Sequence, residues 1–240
     1  MLKIGIYGIC GKMGGRIAAL AAGDFDVKIV SAVERPGHPM IGKKIAGYGI
    51  TVEETIDGVR EIDCMIDFTL PAPAMGHIKS CLAGNIPMVI GTTGFDENDE
   101  KAIREASQKI PVVFSPNMAP GVNVLFDIAA KAARALGDDF SIRVDETHHA
   151  RKKDSPSGTA KMIAKVIKEA SGKETPVEAF REGEVIGNHG ITFANEFETL
   201  EIRHDARTRD VFAAGALKAA KFVSGKTPGL YTMKDVLRLA

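Results

Sequence analysis

Short apolar runs alternate with segments of helical period through the first half of the chain. The runs, typical of buried strands, lie at 2–7, 27–33, 63–69, 86–91 and 111–115. Helices are predicted from Gly11 onward, from a proline through about Leu82, and over 96–109, whose acidic first turn suits a helix N-terminus. Strands that alternate with helices predict parallel βαβ units, so we expect an α/β domain with a parallel sheet.

After Pro120 the pattern changes. Helices are predicted at 123–136, 161–170 and 211–223, and strands at 140–149 and 190–206. The last of these ranges divides into two strands with a tight connection, which favours an antiparallel pair. We therefore predict an α/β protein of two domains. The first comprises 1–119 and 208–240, and the second is an α+β domain at 120–207.

The composition removes several classes of partner. Among 240 residues, 31 Lys and Arg balance 31 Asp and Glu, so no overall field favours nucleic acid or an anionic membrane surface. Cys10, Cys64 and Cys81 lie far apart without a C-x-x-C pair, which suits a reducing compartment better than a disulfide scaffold. Lys12 and Arg16 interrupt the N-terminal apolar stretch, and no apolar run is long enough to span a membrane. We expect a cytoplasmic protein.

The stretch GICGKMG follows the first predicted strand and opens the first predicted helix, as in Rossmann-type dinucleotide-binding domains. Gly8, Gly11 and Gly14 would let the backbone approach a pyrophosphate, although their spacing departs from the usual G-x-G-x-x-G. Glu34 ends the second predicted strand, where a carboxylate would bond the adenosine ribose, and Arg35 beside it could hold the 2′-phosphate of NADP. We predict a site for NADH or NADPH. The alternatives are a glycine turn without a ligand and an exposed charged turn.

Two further loops are expected at the same edge of the sheet. Residues 91–93 and 115–118 each follow a predicted strand. Open α/β sheets bind ligands outside the carboxyl ends of their strands, so both loops should border the crevice at Gly8. Alternatively, each loop is a simple connection between a strand and a helix.

The stretch HHARKKDSPSGTAK, which begins at His148, concentrates positive charge ahead of a predicted helix start. Ser157 or Thr159 can cap that helix, and Gly158 lets a ligand approach its free N–H groups, so a carboxylate site is predicted. His148 suits proton transfer near neutral pH. Lys152 could bind an anion or act as an acid.

Other interpretations of this stretch stay open. Residues 151–153 could form a solvated charged loop. His148 and His149 with Asp145 and Glu146 could bind a metal, but no second pair at ligand spacing is evident, and we predict no metal site. His149 could be a packed histidine, because adjacent residues of a strand point to opposite faces.

The stretch ETHHARKKDSPSGTA resembles the signature E-x-H-H-x-x-K-x-D-x-P-S-G-T-A of the dihydrodipicolinate reductase family. The resemblance extends over the whole chain, through GICGKMG, DFT, GTTGF, NMAPGVNVL, REGEVIGNHGITF and SGKTPGLYTMKDVL. It implies reduction of 4-hydroxy-tetrahydrodipicolinate (dihydrodipicolinate) to tetrahydrodipicolinate by NADH or NADPH, in lysine and diaminopimelate biosynthesis. It also implies a homotetramer, with 120–207 as the substrate-binding and tetramerisation domain.

The same resemblance implies roles for individual residues. His148 and Lys152 are the expected catalytic residues, and substrate contacts are expected at His149, Gly158 and Thr159. The expected cofactor contacts are Gly8, Ile9, Cys10, Gly11, Lys12, Met13, Glu34, Arg35, Gly91, Thr92, Thr93, Ser115, Pro116, Asn117 and Met118. Ser115-Pro116 departs from the family pattern, in which small residues such as alanine are common.

A small dicarboxylate substrate would explain the local charge, because a protein without net charge then needs one concentrated cationic pocket. Two other functions stay open at this point. One is another two-domain NAD(P)-dependent oxidoreductase of a small amino or keto acid, and the other is a dinucleotide sensor without catalysis. An acid–base pair such as His148 and Lys152 argues against the sensor.

Overall fold

The computed structural model describes residues 1–56 and 61–239. Contacts divide the chain into two units: Met1–Met118 with Phe212–Arg238, and Ala119–Val211. The limits predicted for the second domain were 120 and 207, and Ala240, the last residue of the predicted first domain, lies outside the described residues. Within the described ranges, no helix is long and apolar enough to cross a membrane.

Parallel strands build the sheet of the first unit. They are β1 (Leu2–Tyr7), β2 (Val27–Val33), β3 (Val52–Glu53), β4 (Cys64–Asp67), β5 (Met88–Ile90), β6 (Pro111–Phe114) and β11 (Gly229–Tyr231). Among the described residues they form one seven-stranded sheet in the order β11-β6-β5-β4-β1-β2-β3, in which every pair is parallel. The predicted Rossmann-type α/β architecture is confirmed.

Helices cover both faces of this sheet. They are α1 (Lys12–Ala22), α2 (Pro71–Ala83), α3 (Glu97–Ser107), α6 (Asp210–Val223) and α7 (Met233–Leu237). Ile4, Ile6 and Ile66 pack in one apolar cluster with α1 and α6, whereas Tyr7 and Met65 pack in a second cluster with α2 and α3. Alternate residues of a strand thus face opposite layers. Each fully buried aliphatic side chain contributes about 1.5–3 kcal/mol.

The second unit is a four-stranded sheet with two long helices. Its elements are α4 (Pro120–Leu136), β7 (Ser141–His148), α5 (Gly158–Ser171), β8 (Val177–Arg181), β9 (Asn188–Ala194) and β10 (Thr199–Asp205). The strand order is β10-β9-β7-β8, with β7 and β8 parallel and the other pairs antiparallel. The predicted antiparallel pair at 190–206 is confirmed as β9 and β10. Helix α4 begins at Pro120, three residues before its predicted start, because proline suits the first helical position.

Candidate active site

The glycine loop connects β1 to α1 at the carboxyl end of the first sheet. Gly8 has φ of +68°, and a Cβ at Gly14 would lie 2.1 Å from the carbonyl oxygen of Gly8. The conformation of the turn therefore requires both glycines even when no ligand is bound. Gly11 is the N-cap of α1, and within the described chain no side chain caps this helix. Its first N–H groups can therefore bind an anion such as a pyrophosphate.

Glu34 joins this loop to the end of β2. Its carboxylate accepts hydrogen bonds from the backbone N–H of Cys10 at 2.8 Å and of Arg35 at 3.2 Å, and the side chain is largely buried. The Arg35 side chain is exposed. Burial and then the neighbouring Glu34 raise the pKa of the Cys10 thiol. The Glu34 carboxylate thus lies against the glycine loop, and Arg35 directly follows it in the chain.

A network around Asp67 connects the ends of β4 and β5. The fully buried Asp67 accepts from the Thr69 N–H at 2.8 Å, the Thr69 hydroxyl at 2.7 Å and the Thr92 hydroxyl at 3.0 Å. Its other oxygen lies 2.7 Å from Nδ1 of His77, whose ring stacks on Tyr7 with centroids 3.8 Å apart. The DFT stretch was among the motifs noted in the sequence, but this network was not predicted. The signal was an acid at the end of an otherwise apolar strand.

The remaining predicted cofactor residues differ in what they can offer. The side chains of Ile9 and Met118 lie in the hydrophobic core at 3% and 1% exposure, so only their backbone is available to a ligand. Thr92 is buried and bonded to Asp67, whereas Thr93 is exposed. The Ser115 hydroxyl donates to the carbonyl of Asn117 at 2.9 Å and so shapes the loop after β6.

In the second unit, the carboxyl end of β7 meets the first turn of α5. Glu146 is fully buried, and its carboxylate accepts from the N–H of Ser157 at 3.1 Å and lies 3.0 Å from Nη2 of Arg181. It also hydrogen-bonds Nδ1 of His148. Ser157 caps α5, because its hydroxyl accepts from the Ala160 N–H at 3.2 Å. This settles the predicted choice between Ser157 and Thr159.

Lys152 differs from the cations on either side of it. Arg151 is exposed and paired with Glu184 at 2.6 Å, and Lys153 is exposed, so both fit the solvated-loop interpretation. The side chain of Lys152 is only 23% exposed, with Nζ 2.9 Å from Asp154. Its charge contributes to lowering the pKa of His148, which places the two groups in one electrostatic environment.

The residues expected to contact the substrate lie at the start of α5 and directly after β7. Gly158 and Thr159 are the first two residues of α5, and Gly158 is exposed with open space where a Cβ would lie. Their N–H groups belong to the helix N-terminus that was predicted to bind a carboxylate. His149 follows β7 and is half-buried, and its Nδ1 has no hydrogen-bond partner among the described residues.

Two histidines of this region are held neutral. Burial lowers the pKa of His148, Lys152 and Arg181 lower it further, and Glu146 raises it in part. Burial, and then the positive charge that His148 carries when it is protonated at lower pH, lower the pKa of His189 to about 4. The two rings meet edge to face with centroids 5.2 Å apart. At neutral pH the cationic charge of the site therefore comes from Lys152 and Arg181.

Two groups of side chains have potential metal-ligand atoms near one another. In each group the potential ligand atoms all lie within 4.8 Å of one another. One group is Cys10, Glu34 and His38, and the other is Glu146, His148 and His189. The Glu146 carboxylate is already paired with Arg181, a cation that would compete with a metal ion. Glu34 already accepts two backbone N–H groups. In each group the carboxylate is thus already bound by protein donors.

Comparison with protein families covers nearly all of the chain. Residues 2–118 match the family model described as dihydrodipicolinate reductase, N-terminus, and residues 121–237 match the one described as dihydrodipicolinate reductase, C-terminus. The chain is 38% identical over 267 aligned positions to the 4-hydroxy-tetrahydrodipicolinate reductase of Citrifermentans bemidjiense. It is 39% identical over 266 positions to that of Geobacter sulfurreducens, and in both cases 100% of each chain is covered.

Solved structures share the fold. A dipicolinate-bound dihydrodipicolinate reductase from Paenisporosarcina sp. TG-14 is 24% identical, with a TM-score of 0.84 over 97% of each chain. The amine dehydrogenase from Mycobacterium smegmatis is 11% identical, with a TM-score of 0.68 over 97% of this chain and 95% of that chain. At these identities the likeness concerns the fold alone.

Proposed function

The chain belongs to the dihydrodipicolinate reductase family, and from that premise we infer how its residues serve the reaction. It is an NAD(P)H-dependent oxidoreductase that reduces 4-hydroxy-tetrahydrodipicolinate to tetrahydrodipicolinate in lysine and diaminopimelate biosynthesis. The observation that carries this conclusion is the match of both halves of the chain to one family, at 38% identity over the full length of a named reductase.

The first unit fits the dinucleotide. The uncapped start of α1 beside Gly8 and Gly11 would hold the pyrophosphate, and Glu34 would bond the adenosine ribose. The exposed guanidinium of Arg35 would hold the 2′-phosphate of NADPH. Bound NAD(P)H supplies a hydride. Since Glu34 and Arg35 offer one partner for each form, both NADH and NADPH are expected to serve.

The start of α5 fits a small dicarboxylate. Gly158 and Thr159 would bind one carboxylate through their N–H groups, with a further contact from His149. The ammonium group of Lys152, whose side chain is partly buried, would attract the dianion and contact it. The fold relative from Paenisporosarcina binds dipicolinate, which is pyridine-2,6-dicarboxylate, and this supports a planar dicarboxylate as the ligand class.

His148 and Lys152 would handle the proton. Loss of the 4-hydroxyl group as water converts the substrate to a conjugated imine, and hydride addition to that imine leaves negative charge on the substrate. A general acid that quenches this charge accelerates the reaction by about 10²–10⁴-fold. Lys152 carries a proton it can donate. His148, kept near neutrality by burial, can accept one and pass it on. The two groups share one site, so they would act on the same substrate.

We also propose a cytoplasmic homotetramer. Cys64 and Cys81 are buried free thiols, which suits a reducing compartment. The face of the second sheet opposite the buried Val144 carries Arg143, and Phe180 on that face is 51% exposed. A second copy of the chain could cover this face. Sedimentation velocity tests the assembly, and a monomer at micromolar concentration would contradict it.

The experiment that tests the function measures oxidation of NADH and of NADPH with freshly generated product of dihydrodipicolinate synthase. The wild type is compared with Lys152→Met, which keeps the length and removes the charge, and with Lys153→Met as the exposed control. The wild type and the control should turn over with both cofactors. A wild type that oxidises neither cofactor with this substrate would refute the proposed reaction.

Lys152→Met should lower kcat by at least about tenfold at saturating substrate, with some rise in KM and unchanged cofactor affinity. This pattern follows if the ammonium serves the transition state as well as binding. A normal kcat with a raised KM would instead limit Lys152 to binding and leave His148 as the acid.

A further inference from the structure

Glu146 is a fully buried carboxylate at the centre of the second unit's site, and three donors from three elements meet it. Arg181 comes from β8, the Ser157 N–H from the start of α5, and His148 from the same strand. Burial alone would raise the pKa of Glu146, but Arg181, Ser157 and His148 together lower it. Glu146 is therefore ionised at neutral pH and can only accept hydrogen bonds.

We propose that Glu146 is a positioning residue for the reaction, which holds His148 with a proton on Nδ1 and so makes Nε2 the atom that exchanges a proton with the substrate. The inference rests on the proposed role of His148 in proton transfer. An ionised carboxylate next to Nδ1 requires N–H at that atom, and the neutral ring then has a free lone pair on Nε2.

The space at Nε2 agrees with this assignment. A Cβ at Gly187 would lie 2.9 Å from Nε2 of His148, so only a glycine leaves that nitrogen uncrowded on this side. The charged and titratable groups that face the ring are Glu146 on β7, Lys152 in the following loop, Arg181 on β8 and His189 on β9. Nδ1 of His148 hydrogen-bonds to Glu146, so Glu146 is the acceptor for the Nδ1 proton.

The same carboxylate also fixes the anion site relative to His148. One oxygen accepts the Ser157 N–H, and Ser157 is the N-cap residue directly before α5. The other oxygen orients the His148 ring. Glu146 thereby sets the separation between the proton-transfer atom and the N–H groups of Gly158 and Thr159. Such second-layer contacts determine how well a catalytic ring is held.

The alternative is that Glu146 only stabilises the fold through its pair with Arg181, since a buried ion pair is by itself weak grounds for function. The test therefore reads the histidine directly. Nitrogen shifts of 15N-labelled histidine in the full chain distinguish a proton on Nδ1 from one on Nε2, and a pH titration gives the pKa of His148. A His148→Gln variant assigns the signals.

Two variants are compared with the wild type. Glu146→Gln keeps the size of the side chain and removes its charge. Glu146→Gln combined with Arg181→Gln removes the whole ion pair, so that no buried guanidinium is left unpaired if the single variant fails to fold. The matched control is Glu169→Gln, the same change at an exposed position of α5.

In the wild type and the control, the neutral ring should carry its proton on Nδ1. In both variants at Glu146, part or all of the ring should shift to the Nε2–H form. The pKa of His148 should fall in Glu146→Gln because a neighbouring negative charge is lost, and should fall less in the double variant, because the charge of Arg181 that lowers this pKa is lost as well. The kcat should drop about tenfold or more, since the general acid–base contribution is about 10²–10⁴-fold.

A wild-type ring protonated on Nε2 would overturn the proposal. So would a folded variant that loses activity while the tautomer and titration of His148 stay unchanged, because Glu146 would then have a structural role only. The tautomer is read without turnover. A protein with another substrate would therefore fail the activity assay and still pass this test, which keeps the two proposals distinguishable.

Discussion

His189→Gln should remove a large part of the pH dependence of stability of the second unit. The ring is 4% exposed on β9, between His148 and His204, and its pKa is lowered to about 4 by burial and then by the charge of His148. In the unfolded chain the same ring has a pKa of about 6.5. As the pH falls, the unfolded chain therefore takes up the proton first, and protonation favours unfolding.

The magnitude follows from the gap between the two pKa values. For each pH unit over which only the unfolded state binds the proton, the free energy of unfolding falls by about 1.4 kcal/mol. Between about pH 7.5 and about pH 5 the unfolded ring titrates over roughly 1.5 units while the folded ring stays neutral, so the wild type should lose about 2 kcal/mol through His189. The loss continues until the pH reaches the folded pKa of about 4. Above about pH 7.5 the group contributes almost nothing to the pH dependence, because the ring is then neutral in both states.

The assay is urea unfolding at one fixed protein concentration, followed by circular dichroism at about pH 7.5 and about pH 5. The quantity compared is the difference between wild type and His189→Gln at each pH, so other titrating groups cancel. The matched control is His204→Gln, the same change at a half-buried histidine on the next strand, for which a smaller difference is expected. If wild type and His189→Gln lose the same stability over this range, His189 is not a neutral buried ring.

Three further outcomes are expected. Arg35→Ala should weaken NADPH more than NADH, by about tenfold, because a charge-assisted bond contributes about 1.5–3 kcal/mol; equal losses in fluorescence titrations would remove Arg35 from phosphate binding. Thr159→Val, which keeps the backbone N–H and removes the hydroxyl beside it, should weaken binding of pyridine-2,6-dicarboxylate by about tenfold or more, because a hydrogen bond from that hydroxyl to a carboxylate contributes about 1.5–3 kcal/mol; unchanged affinity in calorimetry would show that this hydroxyl does not contact the ligand. Asp67→Asn should weaken the binding of both NADH and NADPH, because the side chain that accepts the hydrogen bonds of the Thr69 and Thr92 hydroxyls loses its charge. Unchanged dissociation constants would show that this network has only a structural role.

The architecture of the first unit was predictable because its strands are buried on both faces. Runs such as 2–7 and 27–33 are almost wholly apolar, and the structure has strands at these ranges. The short strands β3 and β11 were not predicted, because two or three residues are too few to show an alternating pattern of apolar and polar positions. Strand β8 was not predicted because Glu178 and Arg181 interrupt its apolar character, although exposed and half-buried side chains alternate regularly along it.

The site was predictable where its chemistry lies within one stretch of sequence. The segment from His148 to Thr159 supplies the histidine, the lysine and the helix start, and spacing alone suggested a carboxylate site. Contacts between distant segments were not predictable. Arg181 reaches Glu146 because β8 pairs with β7, and Thr92 reaches Asp67 because β5 pairs with β4. Single-sequence periodicity carries no information on which strands become neighbours.

The order in which the chain is synthesised bears on how the first unit is completed. Strand β11 pairs with β6, and α6 supplies Ala216, Ala220 and Val223 to the core against β1 and β4. Strand β11 and the part of α6 from Phe212 onward are translated after the continuous stretch Ala119–Val211 of the second unit. On the ribosome, β6 therefore stays an unpaired edge, with one face of its sheet partly uncovered, while the inserted unit already has all of its strands. Nascent chains stalled before Phe212 should consequently depend on chaperones, and their release should coincide with emergence of the last thirty or so residues.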